Sequence, residues 1–327
     1  MQRAEQAKTR ESAVTILLMK QMTPEAISRA YNNRLLVPNF QDTLRLWDAH
    51  SVQARSALDA AGLGHWDVPY GPRPLNTLDV VQAAPRRGVN AAQAGSDGAP
   101  ILFFIHGGYW RMLDKSAQTF IAPALSQRGA MVVIPNYSLA PAVSIEDICL
   151  EMVQALAWLW QNARRFGGDP ARIVVAGHSA GGHLTGMALS CDGRALGRAL
   201  GVNLPDALSA RGVAISGLFD LAPLVHCEWL MPDIRLTPTS IRRLSPAAWP
   251  APWGRRMVAV AGDAESSEFH RQNQLIQRAW GRQAVPIVEK IPHRHHFDIL
   301  LDLMDANTRL SRLLDRELGL SSVDQST

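Results

Sequence analysis

Ala176-Gly177-His178-Ser179-Ala180-Gly181-Gly182-His183 is the stretch on which the fold turns. Four β-compatible apolar residues, Ile173 to Ala176, lead into it, and a helix-compatible segment, Leu184 to Leu200, leads out. A Gly-x-Ser-x-Gly motif between a strand and a helix has a mechanical meaning. The serine takes a strained backbone conformation at a sharp turn, and Gly177 and Gly181 must lack side chains for strand and helix to pass closely. The Ser179 hydroxyl is then pushed out of the fold. An ordinary strand-to-helix turn punctuated by glycines fits these eight residues equally well, so the neighbouring sequence has to separate the two readings.

Outward from the turn, apolar runs alternate with helical patterns. Ile101 to Ile105 and Met131 to Ile134 are continuous apolar runs, as parallel strands buried on both faces require. Ser144-Ile145-Glu146-Asp147 has the form of a capping box and opens a helix through Trp158 and Trp160 to Phe166, where Gly167-Gly168 closes it. Further strands are expected at Arg172 to Ala176, Gly212 to Ile215, Met257 to Val260 and Val285 to Glu289, with helices over Glu268 to Trp280 and Phe297 to Leu314. This alternation predicts an α/β fold, a mostly parallel twisted sheet with helices on both faces. Leu78-Asp79-Val80-Val81 is expected to be its first strand, and Ala91 to Pro100 a flexible hairpin-like connection.

Residues 1–75 read as an N-terminal helical, cap-like segment. Thr23 precedes a helix beginning Pro24-Glu25-Ala26-Ile27, and Asp42 to Leu63 carries another, which Trp66-Asp67-Val68-Pro69-Tyr70-Gly71-Pro72 breaks. Between Gly217 and Arg256 a Pro- and Trp-rich insertion with Trp229, Met231, Trp249 and Trp253 interrupts the alternation. It is expected near the carboxyl ends of the strands, where such sheets bind ligands. The whole chain, 1–327, therefore reads as a single domain with core segments 76–216 and 257–327 and a short insertion, 217–256, over the site.

Composition narrows the function. Hydrophobic residues make up 47% of the 327 and charged residues 19%, which suits a globular protein with a sizeable core. The longest apolar runs, Ala13 to Met19 and Ile101 to Ile105, fall well short of the roughly 20 residues that cross a bilayer. Arg3, Lys8 and Arg10 are interrupted by Glu5 and Glu11, and Lys20-Gln21 stands where a cleavage site would need small residues, so the start reads as an amphipathic leader and not a signal peptide. The net charge of +4 is dispersed, and its basic clusters are only pairs such as Arg164-Arg165. Neither a nucleic acid nor a membrane is therefore expected as partner. Cys149, Cys191 and Cys227 are odd in number and lack CxxC spacing, which fits a reducing, cytoplasmic location.

A nucleophilic serine needs a base, an acid to orient the base, and donors for the oxyanion that forms on attack. His106-Gly107-Gly108-Tyr109-Trp110 directly follows the Ile101 to Ile105 strand, and successive glycines let backbone N–H groups approach a substrate carbonyl. With the N–H of Ala180, those of Gly107 and Gly108 would form an oxyanion hole. After the last strand, His293-Arg294-His295-His296 offers three histidines; adjacent loop residues converge poorly on one ion, so one base and no metal site is expected. After the preceding strand, Gly262-Asp263-Ala264-Glu265 offers two carboxylates. Spacing alone leaves both choices open. Tyr109, Trp110 and His178, beside the glycines and the serine, are candidates for the substrate pocket.

The order serine, acid, histidine is that of the α/β-hydrolases, and at this point the chain resembles a known family. His106 to Trp110, Gly177 to Gly181 and Asn136-Tyr137-Ser138-Leu139-Ala140-Pro141 look like motifs of the HGG-type, hormone-sensitive-lipase-like esterases. Tyr31-Asn32-Asn33-Arg34, Val68-Pro69-Tyr70-Gly71, Ser216 to Leu221, Glu265 to Gln272 and His296-Phe297 are similar to the kynurenine formamidase group. The resemblance implies that Glu265 is the acid, with Asp263 as the alternative, and that His296 is the base, with His295 as the alternative. It also implies a serine acyl hydrolase that cleaves a formamide or a small acyl or aryl ester through an acyl-enzyme, with Ser179 as nucleophile and no cofactor. A general carboxylesterase or a specialised amide or carbamate hydrolase is the alternative. A non-catalytic binding protein on the same scaffold would lack the serine or histidine that this chain keeps. The N-terminal helices and the insertion offer a surface for a homodimer.

Overall fold

The computed structural model describes residues 22–85 and 98–320. The expected leader and residues 91–97 of the expected connection at 91–100 lie outside them. The described strands form one sheet: β1 (Gly64–Pro69), β2 (Thr77–Val81), β3 (Ala99–Ile105), β4 (Met131–Pro135), β5 (Gly168–His178), β6 (Arg211–Ile215), β7 (Arg256–Gly262) and β8 (Ile287–Ile291). Helices α1 (Pro24–Tyr31), α2 (Asn33–Leu36) and α3 (Phe40–Ala60) precede the sheet, and α4 (Ala122–Gln127) and α5 (Ile145–Asn162) flank β4. Then α6 (Ala180–Leu189) and α7 (Gly193–Leu200) follow β5, α8 (Met231–Ile234) and α9 (Pro238–Leu244) lie between β6 and β7, α10 (Ser267–Ala284) joins β7 to β8, and α11 (Arg309–Leu318) comes last. The spatial order is β1-β2-β4-β3-β5-β6-β7-β8; β2 runs antiparallel to both its neighbours and all later pairs are parallel.

The apolar run in β3 shows why this sequence makes a sheet covered twice. Ile101, Phe103 and Ile105 point into one cluster with Met152 and Leu156 of α5, whereas Leu102 and Phe104 point into the other with Leu125 of α4 and Leu313 of α11. Alternate side chains of a strand leave opposite faces, so a run apolar at every position needs a helical layer on each side. Burial of each such side chain contributes about 2–3 kcal/mol.

Local chemistry moves several boundaries. The sheet begins at Gly64, ahead of the expected first strand, and Trp66 to Pro69 belongs to β1 instead of breaking a helix. A register shift between His65 and Val68 accommodates Asp67, whose φ is 54° and whose N–H donates to Asp79 Oδ1 at 2.9 Å. Such a bulge hides a strand from a period-two search. The expected helix over Leu184 to Leu200 is two helices, because Asp192 caps α7 by accepting from Ala195 N–H at 2.9 Å. The expected helix from Phe297 to Leu314 is a 3₁₀ segment, Asp298–Met304, followed by α11 with Thr308 as its cap. Finally, β8 starts two residues late: Val285 N–H donates to Gly281 O at 2.9 Å and so stays with α10, and Pro286 has no N–H to give a ladder.

The N-terminal helices are fastened to the far end of the chain. The fully buried Tyr31 hydroxyl donates to Glu268 Oε2 at 2.8 Å and accepts from Gln272 Nε2 at 2.8 Å and Arg271 Nη2 at 3.2 Å. Burial, first, and the Glu268 charge push its ionisation far up, so the phenol stays neutral. Tyr31→Phe removes a donor and an acceptor from this buried network. It should destabilise the protein by about 1–3 kcal/mol, read as a lower urea midpoint at unchanged slope; an unchanged midpoint would show that the network does not hold α1.

Candidate active site

Ser179 stands between β5 and α6 with φ 57° and ψ −117°. Its N–H donates to Ile215 O at 2.8 Å, which ties the turn to β6. The close passage expected of the glycines is met: a Cβ on Gly177 would run into the Gly181 carbonyl, and one on Gly181 into the Ile105 carbonyl. Gly182 shares this role unannounced by the motif, since a Cβ there would lie 2.8 Å from Gly217 Cα. Ala180 is the first residue of α6, where N–H groups have no partner within the helix.

The glycine loop lies against the turn. A Cβ on Gly107 would sit 2.9 Å from His178 O and 3.1 Å from Ser179 Cβ, and Gly108 has φ 106° with Met112 O in the way of any side chain. Behind the loop, Tyr137 donates to the carbonyls of His106 at 3.0 Å and Gly107 at 3.1 Å and stacks on the His106 ring at 4.2 Å. The Asn136-Tyr137 segment that carried part of the resemblance is thus the prop of this loop.

Of the two carboxylates after β7, Glu265 reaches the histidines, while Asp263 is exposed to solvent. Glu265 Oε2 lies 2.7 Å from His296 Nδ1, and its Oε1 accepts from Gly262 N–H at 2.7 Å and from the Ser216 hydroxyl at 2.5 Å. Facing a carboxylate, Nδ1 carries the proton of the neutral imidazole and leaves a lone pair on Nε2. The His296 ring is boxed by Phe269 at 4.7 Å, His178 at 4.6 Å and Phe297 at 5.4 Å. His295 is turned to a structural task, its Nδ1 accepting from the N–H groups of Phe297 and Asp298 at 3.1 and 3.2 Å. His293 is exposed.

Ser179 and His296 line one cavity of about 240 Å³, together with Gly108, Tyr109 and His178. His178 also positions its neighbour: its Nε2–H donates to His296 O at 2.8 Å, and burial followed by the nearby His296 holds its pKa well below the usual value, so it stays neutral. Trp110, expected in the pocket, does not line it. Its indole turns inward, fully buried, and donates to His183 Nδ1 at 3.2 Å, while His183 Nε2–H donates to Leu244 O at 2.7 Å. Burial lowers the His183 pKa to about 4, which keeps that imidazole neutral and able to accept. Within the insertion Trp229 reaches the cavity, whereas Trp253 is 96% exposed. Phe297 of the His296-Phe297 pair also lines it, as do Leu44, Trp47 and Arg111, which no motif singled out.

A family profile described as the α/β-hydrolase fold matches residues 102–215, the span from the middle of β3 to the end of β6 that carries both the glycine loop and the serine turn. The chain has the α/β-hydrolase fold. Among proteins similar to this hydrolase, kynurenine formamidase of Danio rerio is 28% identical over 263 residues, 78% of this chain and 82% of that protein. Kynurenine formamidase of Drosophila melanogaster is 26% identical over 66% of this chain and 72% of its own length. A crystal structure from Silicibacter sp., provisionally named a thioesterase, is 26% identical with a TM-score of 0.72, covering 87% of the hydrolase and 97% of that chain. Esterase B of Lactobacillus rhamnosis, at 17% identity and TM-score 0.59 over 86% and 94% of the two chains, shares the fold. No helix of the hydrolase's described residues is long and apolar enough to cross a membrane.

Proposed function

We propose that this chain is a serine acyl hydrolase that cleaves a formamide or a small acyl or aryl ester through an acyl-enzyme on Ser179. The observation that carries the reading is the 2.7 Å contact of Glu265 with His296 Nδ1, which leaves Nε2 unprotonated in a histidine that lines the same cavity as Ser179. His296 Nε2 takes the proton of Ser179 as Oγ attacks the carbonyl carbon, and the N–H groups of Gly107, Gly108 and Ala180 receive the developing oxyanion. Collapse breaks the bond to the leaving amine or alkoxide, which takes the proton back from His296. Water, deprotonated by the same imidazole, then releases the acid and restores Ser179. Glu265 holds the tautomer and stabilises the imidazolium.

Formamide chemistry is favoured over a purely esterolytic role by the named relatives of similar length, the two formamidases of Danio and Drosophila. The three cysteines stand as free thiols, in keeping with a cytoplasmic setting. The deciding experiment compares kcat/KM for N-formyl aryl amines, N-formylkynurenine among them, with that for p-nitrophenyl acetate and butyrate, alongside labelling by a serine-directed phosphonate. Turnover of the formamides and label on Ser179 are expected. Activity on the esters alone would remove the formamidase reading, and absence of label on Ser179 would remove the mechanism.

A further inference from the structure

Two serines stand one residue past the ends of neighbouring parallel strands, Ser179 after β5 and Ser216 after β6, and both have left-handed backbone, with φ 57° and 52°. For Ser179 the sharp turn that presents the hydroxyl explains it. Ser216 is fully buried and does not line the cavity. Glycine would take that φ freely, whereas a side chain is strained there, and strain of this kind gathers where the side chain has a task.

The task is one hydrogen bond away. The Ser216 hydroxyl donates to Glu265 Oε1 at 2.5 Å, while its own N–H donates to Val260 O at 2.7 Å and locks the residue to β7. The Glu265 side chain is fully buried, and among the described residues no lysine or arginine lies within 4.0 Å of it. A buried carboxylate is costly unless donors satisfy it. Three do: His296 Nδ1–H, Gly262 N–H and the Ser216 hydroxyl. Gly262 belongs to the same turn as Glu265 and moves with it. Ser216 comes from the end of β6, where the residue before it, Ile215, accepts the Ser179 N–H at 2.8 Å. Two consecutive residues therefore hold the nucleophile and the acid.

We infer that Ser216 is a positioning residue for acyl transfer: its hydroxyl sets the Glu265 carboxylate so that Oε2 meets His296 Nδ1, and Ile215-Ser216 keeps Ser179 and Glu265 in one register. The inference rests on the roles proposed for Ser179, His296 and Glu265. Without the hydroxyl, Oε1 keeps only the N–H of its own turn, the carboxylate is free to swing, and the imidazole loses the partner that aims Nε2 at Ser179. Ser216 touches no substrate, so its effect belongs in kcat and not in KM.

The test compares Ser216→Ala, Ser216→Gly, Glu265→Ala and the Ser216→Ala/Glu265→Ala double variant with the wild type. Four quantities are read: kcat and KM on p-nitrophenyl acetate, the rate at which a p-nitrophenyl phosphonate labels Ser179, the melting temperature, and the low-field proton NMR signal of His296 Nδ1–H. Both Ser216 variants should lose about 10- to 100-fold in kcat and in labelling rate, with KM changed by less than about twofold. The Nδ1–H signal should move upfield in both. Glycine, at ease at φ 52°, should melt above alanine yet be no more active. In the Glu265→Ala background, Ser216→Ala should cost less than about twofold more, because its partner is already gone. A kcat for S216A within about threefold of the wild type, a loss undiminished in the Glu265→Ala background, or activity that recovers with the melting temperature in S216G would each overturn the inference. An unchanged kcat in Glu265→Ala, or no label on wild-type Ser179, would instead sink the triad reading. The response of the Nδ1–H signal to S216A would then still report whether Ser216 orients Glu265.

Discussion

Ser179→Ala should lower kcat/KM for every ester or formamide that the protein cleaves by about 10⁴- to 10⁶-fold, the cost of removing a nucleophile that acts as a unit with its base. The residual rate would come from the N–H groups of Gly107, Gly108 and Ala180 and from substrate binding, neither of which the substitution touches. Alanine asks nothing new of the backbone: residue 179 already has a Cβ at φ 57°, and its N–H bond to Ile215 O is a main-chain bond. A melting temperature near that of the wild type, measured beside the kinetics, separates lost chemistry from a lost fold. Activity within tenfold of the wild type would mean that another group is the nucleophile.

Glu265→Gln is expected to be nearly as damaging, about 10⁴-fold in kcat, without moving a heavy atom far. The hydrogen bonds around Glu265 dictate how the amide must sit. Its Oε1 faces two donors, Gly262 N–H and the Ser216 hydroxyl, so the glutamine oxygen belongs there and its NH₂ is turned to His296 Nδ1. An NH₂ at that point makes Nδ1 an acceptor and moves the imidazole proton to Nε2, where it blocks removal of the serine proton. The kinetic loss should therefore fall on kcat with KM little changed, and a nitrogen-edited NMR spectrum should show the proton on the other ring nitrogen. If the variant kept near-wild-type kcat, Glu265 would not be what sets the tautomer.

What could be read before any coordinates follows from how locally each feature is encoded. The serine turn, the glycine loop and the alternation of β3 to β7 are set by neighbouring residues: two glycines around a serine, a buried run before each loop, a cap before each helix. The choice of Glu265 over Asp263 and of His296 over His295 was open to spacing and came from resemblance, because nothing local says which of two nearby side chains points inward. The pocket was the least legible. Trp110 sits beside the glycines in sequence yet turns inward to His183, while Trp47 reaches the cavity from a helix that no motif connects with Ser179. Contacts of that kind depend on tertiary packing, which overrides local pattern. β1 was missed for a different reason, a bulge at Asp67 that depends on the carboxylate of Asp79 in the next strand.

The bonds of Tyr31 have a consequence for biosynthesis. Its hydroxyl is joined to Glu268, Arg271 and Gln272 across 237 to 241 residues of chain, so these bonds cannot form until the start of α10 has left the ribosome. At about 5–20 residues per second, that is a wait of roughly 10 to 50 s during which the Tyr31 hydroxyl lacks its partners. The sheet from β2 to β6 can assemble in that interval from pieces made close together in time. The anchor beside the cavity-lining Asn33 and Arg34 is therefore completed only when synthesis is nearly finished.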